Sequence, residues 1–144
     1  MKAVVLCGVP GSGKTYERLT NRELASLPFV DVAGVYKDIP DISWDVAVMA
    51  MLVKAGKLFQ SGANTVVLEG MFLPGTPSRE LLERELESMR IDAEFILKHQ
   101  SYWACRECII RSSEGYEMRK RQEILDLYWD RAEALVEENS GDDN

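Results

Sequence analysis

The chain has 144 residues, 46% of them hydrophobic, and a formal net charge of −7. This length suits one domain with a packed core, and the acidic balance disfavours a broad electrostatic grip on nucleic acid. No apolar run reaches the roughly 18 residues that a membrane-spanning helix needs, and the start lacks the apolar stretch of a secretion signal. With three cysteines, we expect a cytoplasmic protein with free thiols.

Short valine-rich runs alternate with segments whose apolar residues repeat at helical spacing. In chain order the pattern predicts strand 2–7, helix 14–27, strand 29–36, helix 43–60, strand 64–70, helix 76–90, strand 93–99, helix 101–112 and helix 117–137. Such alternation predicts an α/β fold, a small parallel sheet flanked by helices. We expect a single domain over residues 1–138 and a disordered acidic tail over 139–144.

The stretch between the first strand and the first helix reads GVPGSGKT. It matches G-x-x-x-x-G-K-T, the P-loop pattern, in which turned backbone N–H groups and a helix N-terminus cradle a phosphate. Lys14 would place its charge on the β and γ phosphates, and the Thr15 hydroxyl would ligate Mg²⁺. The predicted cofactors are therefore ATP and Mg²⁺, and the nucleotide-binding residues are Gly8, Pro10, Gly11, Ser12, Gly13, Lys14 and Thr15.

The sequence GVPGSGKT also resembles the small P-loop kinases of the zeta-toxin and polynucleotide-kinase-like group. The resemblance covers residues 2 to about 115 and is carried mainly by this loop. It implies a three-layer P-loop NTPase fold with the sheet order 2-3-1-4, and ATP-dependent phosphoryl transfer. It also implies a second strand ending in Asp, a later strand ending in Asp or Glu, and a lid helix with arginines.

The resemblance implies that Asp38, after the predicted second strand, accepts the proton of the acceptor hydroxyl. Asp41 competes for this role, and both residues also fit an ordinary turn around Pro40. Glu69 ends the strand 64–70 and resembles the second acidic residue of P-loop proteins, which helps to hold Mg²⁺. The alternative for Glu69 is a solvated acid at the end of a strand.

Several cations fall in the expected lid region, residues 101–121. Arginines in a lid stabilise charge on the transferred phosphoryl group, and Arg111, followed by Arg106, is the predicted catalytic choice. A helix places these two about 140° apart, so both reach one phosphate only if the helix ends between them. A solvated face paired with glutamates is the alternative.

Two further motifs favour packing over chemistry. Cys105 and Cys108 form C-x-x-C, but inside a predicted helix and without enough further ligands for zinc, so we expect a packed pair. The apolar loop 71–77 fits a packed connection slightly better than the lining of an acceptor pocket.

These features together predict an ATP-dependent kinase. Its acceptor would be a small molecule, a nucleotide or a polynucleotide end, the last disfavoured by the net charge. A nucleotide-binding interaction protein and a simple ATPase are the alternatives. No membrane partner is expected, and both a monomer and a homodimer fit the sequence.

Overall fold

The structure is a computed structural model that describes residues 1–142. The strands of this part of the chain are β1 Lys2–Cys7, β2 Phe29–Asp31, β3 Thr65–Gly70 and β4 Asp92–Leu97. Its helices are α1 Lys14–Thr20, α2 Val32–Asp38, α3 Trp44–Gln60, α4 Pro77–Ser88, α5 Tyr102–Ser112 and α6 Gly115–Asp142. Strands and helices therefore alternate from β1 to α5 as the sequence predicts, except that an unpredicted helix, α2, lies between β2 and α3.

All strand pairs of the sheet are parallel, and the strand order is β2-β3-β1-β4. Cys7, the last residue of β1, lies opposite Gly70 on one side and Leu97 on the other. The predicted α/β architecture and its 2-3-1-4 order are thus confirmed. The carboxyl ends of the strands meet at one edge, which is where ligands bind in sheets of this kind.

The central strands are buried on both faces, so they read as continuous apolar runs instead of alternating ones. Residues 3–6 of β1 and 66–68 of β3 are almost fully buried. One face packs against α3 and α4 through residues that include Met51 and Leu82. The other face holds a smaller cluster around Leu24.

The second strand differs from its prediction, which extended to Tyr36. It ends at Asp31, whose Oδ1 accepts a hydrogen bond from the Gly34 amide at 2.7 Å and so caps the N-terminus of α2. The apolar residues that follow pack one face of this helix against the core. The chain therefore turns from strand to helix at an N-cap aspartate.

Two helix boundaries also differ from the sequence pattern. The first helix stops at Thr20, where the predicted helix continues to residue 27. The last helix begins at Gly115 and runs to Asp142, past the predicted end at residue 137. Residues 143 and 144 of the predicted tail lie outside the described residues. No helix in the described residues has the length and apolar character needed to span a membrane.

The chain forms two compact units, which are treated separately below. The first unit contains Met1–Cys7 and Thr15–Leu97, and therefore the whole sheet. The second contains Gly8–Lys14 and the chain from Lys98 onward, where α5 and α6 contact each other. The glycine loop thus belongs to the compact unit of the last two helices.

Shortening a central core residue should strongly destabilise the protein. Leu68 lies in β3 and is fully buried. Leu68→Ala removes these contacts and leaves a cavity, so we expect a loss of about 2–5 kcal/mol in the free energy of unfolding. Urea denaturation followed by circular dichroism measures it. Val53→Ala, on the exposed side of α3, is the control, and equal losses for both variants would contradict this view of the core.

Candidate functional site

The glycine loop curls around the ammonium group of its own lysine. Lys14 Nζ donates hydrogen bonds to the carbonyl oxygens of Gly8 at 2.6 Å and Val9 at 3.0 Å. The Ser12 amide donates to the Val9 carbonyl at 3.1 Å, which closes the turn. A lysine held in this way brings a fixed positive charge to a loop of the P-loop pattern.

Gly11 is the point at which this loop packs against α5. Its φ angle is +77°, and an added Cβ would lie 2.3 Å from the carbonyl oxygen of Cys105. Only glycine fits both the conformation and the close approach. The side-chain amide of Gln100 donates a hydrogen bond to the Gly11 carbonyl oxygen. Sequence analysis did not predict a role for Gln100, whose only signal is its place just after β4.

Ser12 supplies a buried polar atom without a partner. The residue is 3% exposed, and its Oγ forms no hydrogen bond with any described residue. A buried hydroxyl left unpaired is costly, and such groups in native structures call for a specific explanation, such as a missing ligand or water. The loop therefore has hydrogen-bonding capacity that its own residues do not use.

The C-x-x-C pair does not form a metal site within residues 1–142. Cys105 is buried in α5, and its Sγ lies 3.8 Å from the Gln100 carbonyl oxygen. Burial raises the pKa of the Cys105 thiol, the neighbouring Cys108 raises it further, and Lys14 opposes the shift. A raised pKa disfavours the reactive thiolate, so the geometry agrees with the predicted packing role.

In the first unit, Glu69 lies at the carboxyl end of β3 and is 4% exposed. Its Oε2 accepts a hydrogen bond from Arg18 Nε at 2.9 Å. The Arg18 guanidinium also lies over the ring of Phe29, 3.5 Å from its centroid. Glu69 Oε1 forms no hydrogen bond within the described residues. The solvated-acid alternative for Glu69 is therefore wrong, because this carboxylate is buried, paired with an arginine and half unsatisfied.

Asp31 is the carboxylate that sequence analysis missed. It is the last residue of β2 and lies directly opposite Glu69 in the neighbouring strand. One of its oxygens caps α2, and the other has no hydrogen bond within the described part of the chain. The signal that could have found it is an aspartate followed by apolar residues at helical spacing, which is typical of a helix N-cap.

Asp38 occupies a different position from the one the sequence suggested. It is the last residue of α2, well exposed, and pairs with Lys54 of α3 at 3.3 Å. Asp41 is exposed in the turn that precedes α3. Because β2 ends at Asp31, neither Asp38 nor Asp41 lies at the end of a strand.

The two arginines of the lid region point to different partners. The helix α5 is continuous from Tyr102 to Ser112, so it does not end between them. Arg106 donates to the Tyr102 hydroxyl at 3.0 Å, whereas Arg111 forms an exposed ion pair with Glu107. As described, the arginines do not converge on one position.

The apolar loop 71–77 is a packed connection, as predicted. Phe72 and Leu73 are buried. The Phe72 ring packs so closely against Gly70 that a Cβ added there would lie 2.3 Å from Phe72 Cε2. Thr76 caps α4 by accepting a hydrogen bond from the Arg79 amide. The apolar side chains Phe72 and Leu73 of this loop therefore pack in the core.

Comparison with solved structures identifies the fold. A protein assigned as a kinase from Chloroflexus aurantiacus J-10-fl matches 84% of this chain and 74% of its own length, with a TM-score of 0.59 and 14% identity. A gluconokinase from Sinorhizobium meliloti 1021 matches 87% of this chain and 73% of its own length, with a TM-score of 0.55 and 20% identity. The shikimate kinase of Acinetobacter baumannii, in complex with shikimate, matches 93% of this chain and 79% of its own length, with a TM-score of 0.54 and 14% identity.

Neither the comparison with protein families nor the comparison with curated protein sequences found a match. At these low identities the solved structures establish the fold alone, which is that of the P-loop kinases. The narrower resemblance to zeta-toxin and polynucleotide-kinase-like proteins remains a prediction from the sequence.

The buried Arg18–Glu69 pair should matter far more for stability than an exposed pair of the same residue types. Arg18→Met leaves the buried Glu69 carboxylate without its charged partner, and we expect it to cost about 3 kcal/mol. Arg111→Met removes the exposed partner of Glu107 and should cost less than about 1 kcal/mol. Chemical denaturation of both variants measures the difference, and similar costs would show that Glu69 finds other compensation.

Proposed function

We propose that this protein is an ATP-dependent kinase that transfers the γ-phosphoryl group of ATP to a hydroxyl group of a small molecule. The observation that carries the proposal is the loop Gly8–Lys14, which follows the central strand β1 and holds Lys14 Nζ against two of its own carbonyls. The fold shared with small-molecule kinases supports this reaction class.

The residues of the loop fit a nucleoside triphosphate with Mg²⁺. Ser12 Oγ is buried without a partner, as a donor to a phosphate would be, and Glu69 has a buried oxygen available for a metal-bound water. The exposed Thr15 hydroxyl follows Lys14 directly and would ligate the metal. When bound, Mg²⁺–ATP supplies the transferable group and neutralises part of its charge. Lys14 would add a positive charge at the β and γ phosphates.

Asp31 is our choice for the group that accepts the proton of the acceptor hydroxyl. Its position at the carboxyl end of β2, beside Glu69, is the one that the family pattern assigns to an aspartate. A carboxylate in this role needs an oxygen free to bind the hydroxyl, and Asp31 has one within the described residues. Asp38 remains the rival, because an exposed ion pair to Lys54 is weak enough to exchange.

The lid arginines would act only after changing partners. Arg111 forms a surface pair with Glu107, and such pairs contribute little, so exchange for a phosphate oxygen is cheap. Arg106 holds the Tyr102 hydroxyl and is the second choice. Each would stabilise negative charge on the transferred group.

The contacts of Arg106 and Arg111 also favour a second candidate function. In it the protein binds ATP without transferring a phosphoryl group to an acceptor, or only hydrolyses the ATP. Both arginines already have partners on α5, and a site without a charged lid would be slow in transfer. A monomer and a homodimer are compatible with either function.

Product analysis with γ-labelled ATP separates the candidates. Label transferred to one member of a panel of sugars, sugar acids, nucleotides and an oligonucleotide 5′ end supports the kinase. Free labelled phosphate alone would support an ATPase, and ATP binding without turnover would support the interaction protein. We expect transfer to a small molecule.

Three variants test the assigned roles. Lys14→Ala should weaken ATP binding at least about tenfold, since it removes charge-assisted hydrogen bonds. Asp31→Asn should retain ATP binding and slow transfer about 10²–10⁴-fold, because it removes the proton acceptor. Asp38→Asn removes the rival carboxylate in the same way and should slow transfer far less than Asp31→Asn does. If Asp38→Asn stops transfer while Asp31→Asn does not, the assignment is reversed.

A further inference from the structure

The first unit contains an open cleft whose lining includes no residue of the glycine loop. It has a volume of about 460 Å³ and lies among β2, α2 and the second half of α3. That size falls in the range of roughly 300–1,000 Å³ that is typical of small-molecule sites. Its apolar lining comes from Phe29, Val30 and Leu58. The cleft can therefore accept the carbon skeleton of a small ligand.

Three lysines line this cleft in a protein that is acidic overall. They are Lys37 of α2 and Lys54 and Lys57 of α3. Lys54 pairs with Asp38, but Lys37 and Lys57 have no carboxylate partner among residues 1–138, whose side chains the structure describes. Asp31 and Asp38 also line the cleft, so three lysines face two carboxylates and one positive charge is left in excess. An anionic ligand would neutralise this excess.

The cleft also contains Asp31, the carboxylate proposed above as the proton acceptor. Asp31 lies at the start of α2 and Lys37 near its end, and this seven-residue helix has a rise of about 10 Å. One molecule about the size of a sugar could therefore place a hydroxyl at Asp31 and an acidic group at Lys37 and Lys57. The residues that line the cleft would then contact both ends of this ligand.

We infer that this cleft binds the phosphoryl acceptor and that the acceptor is a small hydroxylated molecule with a carboxylate or phosphate group. This inference rests on the proposed kinase function for the reaction, but the cleft's affinity for an acid can be measured without ATP. Lys37 and Lys57 would bind the acidic group, while Asp31 receives the hydroxyl. Neutral polyols lack the group that the lysines recognise.

The test compares three probes that share one sugar ring: glucose, glucuronate and glucose 6-phosphate. Each is titrated without nucleotide into ¹⁵N-labelled protein while backbone amide NMR signals are followed. Glucuronate or glucose 6-phosphate should shift the signals of Gly34, Lys37, Lys57 and Ser61, which line the cleft. Glucose should leave them unchanged. The tighter of the two acids shows whether the cleft prefers a carboxylate or a phosphate.

A double variant, Lys37→Gln with Lys57→Gln, should bind the preferred acid at least about tenfold more weakly, since two charged contacts are lost. Arg84→Gln removes one positive charge from the exposed face of α4, away from the cleft, and should bind as the natural protein does. Unfolding midpoints of both proteins check that the substitutions leave the fold intact.

Three results would overturn the inference: equal binding of glucose, acid-induced shifts confined to other residues or absent altogether, and unchanged affinity in the double variant. The proposed function is judged separately by transfer of label from ATP. If acids bind in the cleft but no acceptor receives label, the kinase function is rejected and the cleft is retained as an acid-binding site. If only neutral acceptors receive label, the kinase function is retained and the cleft is rejected as the site of an acidic acceptor.

Discussion

The structure depends on the pairing of β1 with two parallel neighbours. Each of its residues from Lys2 to Cys7 has a partner in β3 and another in β4. Its middle residues are buried on both faces, and burial of this kind specifies the register of a strand strongly. Cys7 is therefore fixed at the edge of the sheet, and the glycine loop begins at the next residue. The sheet therefore determines where β1 ends, at the residue that precedes the glycine loop.

The two carboxylates at this edge are held in place by different interactions. Glu69 is buried, which is favourable only with a charged and well-oriented partner, and Arg18 provides one while its guanidinium covers the Phe29 ring. A lysine at position 18 would lack the planar group that makes both contacts. Asp31 is positioned by the helix that it caps. In the proposed reaction these neighbouring acids would have separate roles, Glu69 towards a metal and Asp31 towards a hydroxyl.

The sequence predicted the sheet and the glycine loop, because apolar runs and glycine patterns are local signals. The strand order came from the resemblance to the small P-loop kinases, and the structure has that order. It did not predict where β2 ends, since residues 29–36 satisfy strand and helix patterns alike. The bond between Asp31 and the Gly34 amide, together with packing of the helix on the core, decides between them. Gln100 was also missed, because its partner is the Gly11 carbonyl, and a backbone acceptor distant in sequence leaves no pattern to read.

The loop is organised by contacts within its own unit before any ligand arrives. Two carbonyls already order Lys14. Binding a phosphate in the proposed function would therefore cost less conformational entropy than it would for a mobile lysine. Gly11 is held between the Gln100 side chain and the Cys105 carbonyl. Because Gly11 packs against α5, a displacement of that helix would move the backbone of the loop. In the proposed function, α5 would therefore influence phosphate binding through the Gly11 backbone, independently of its arginines.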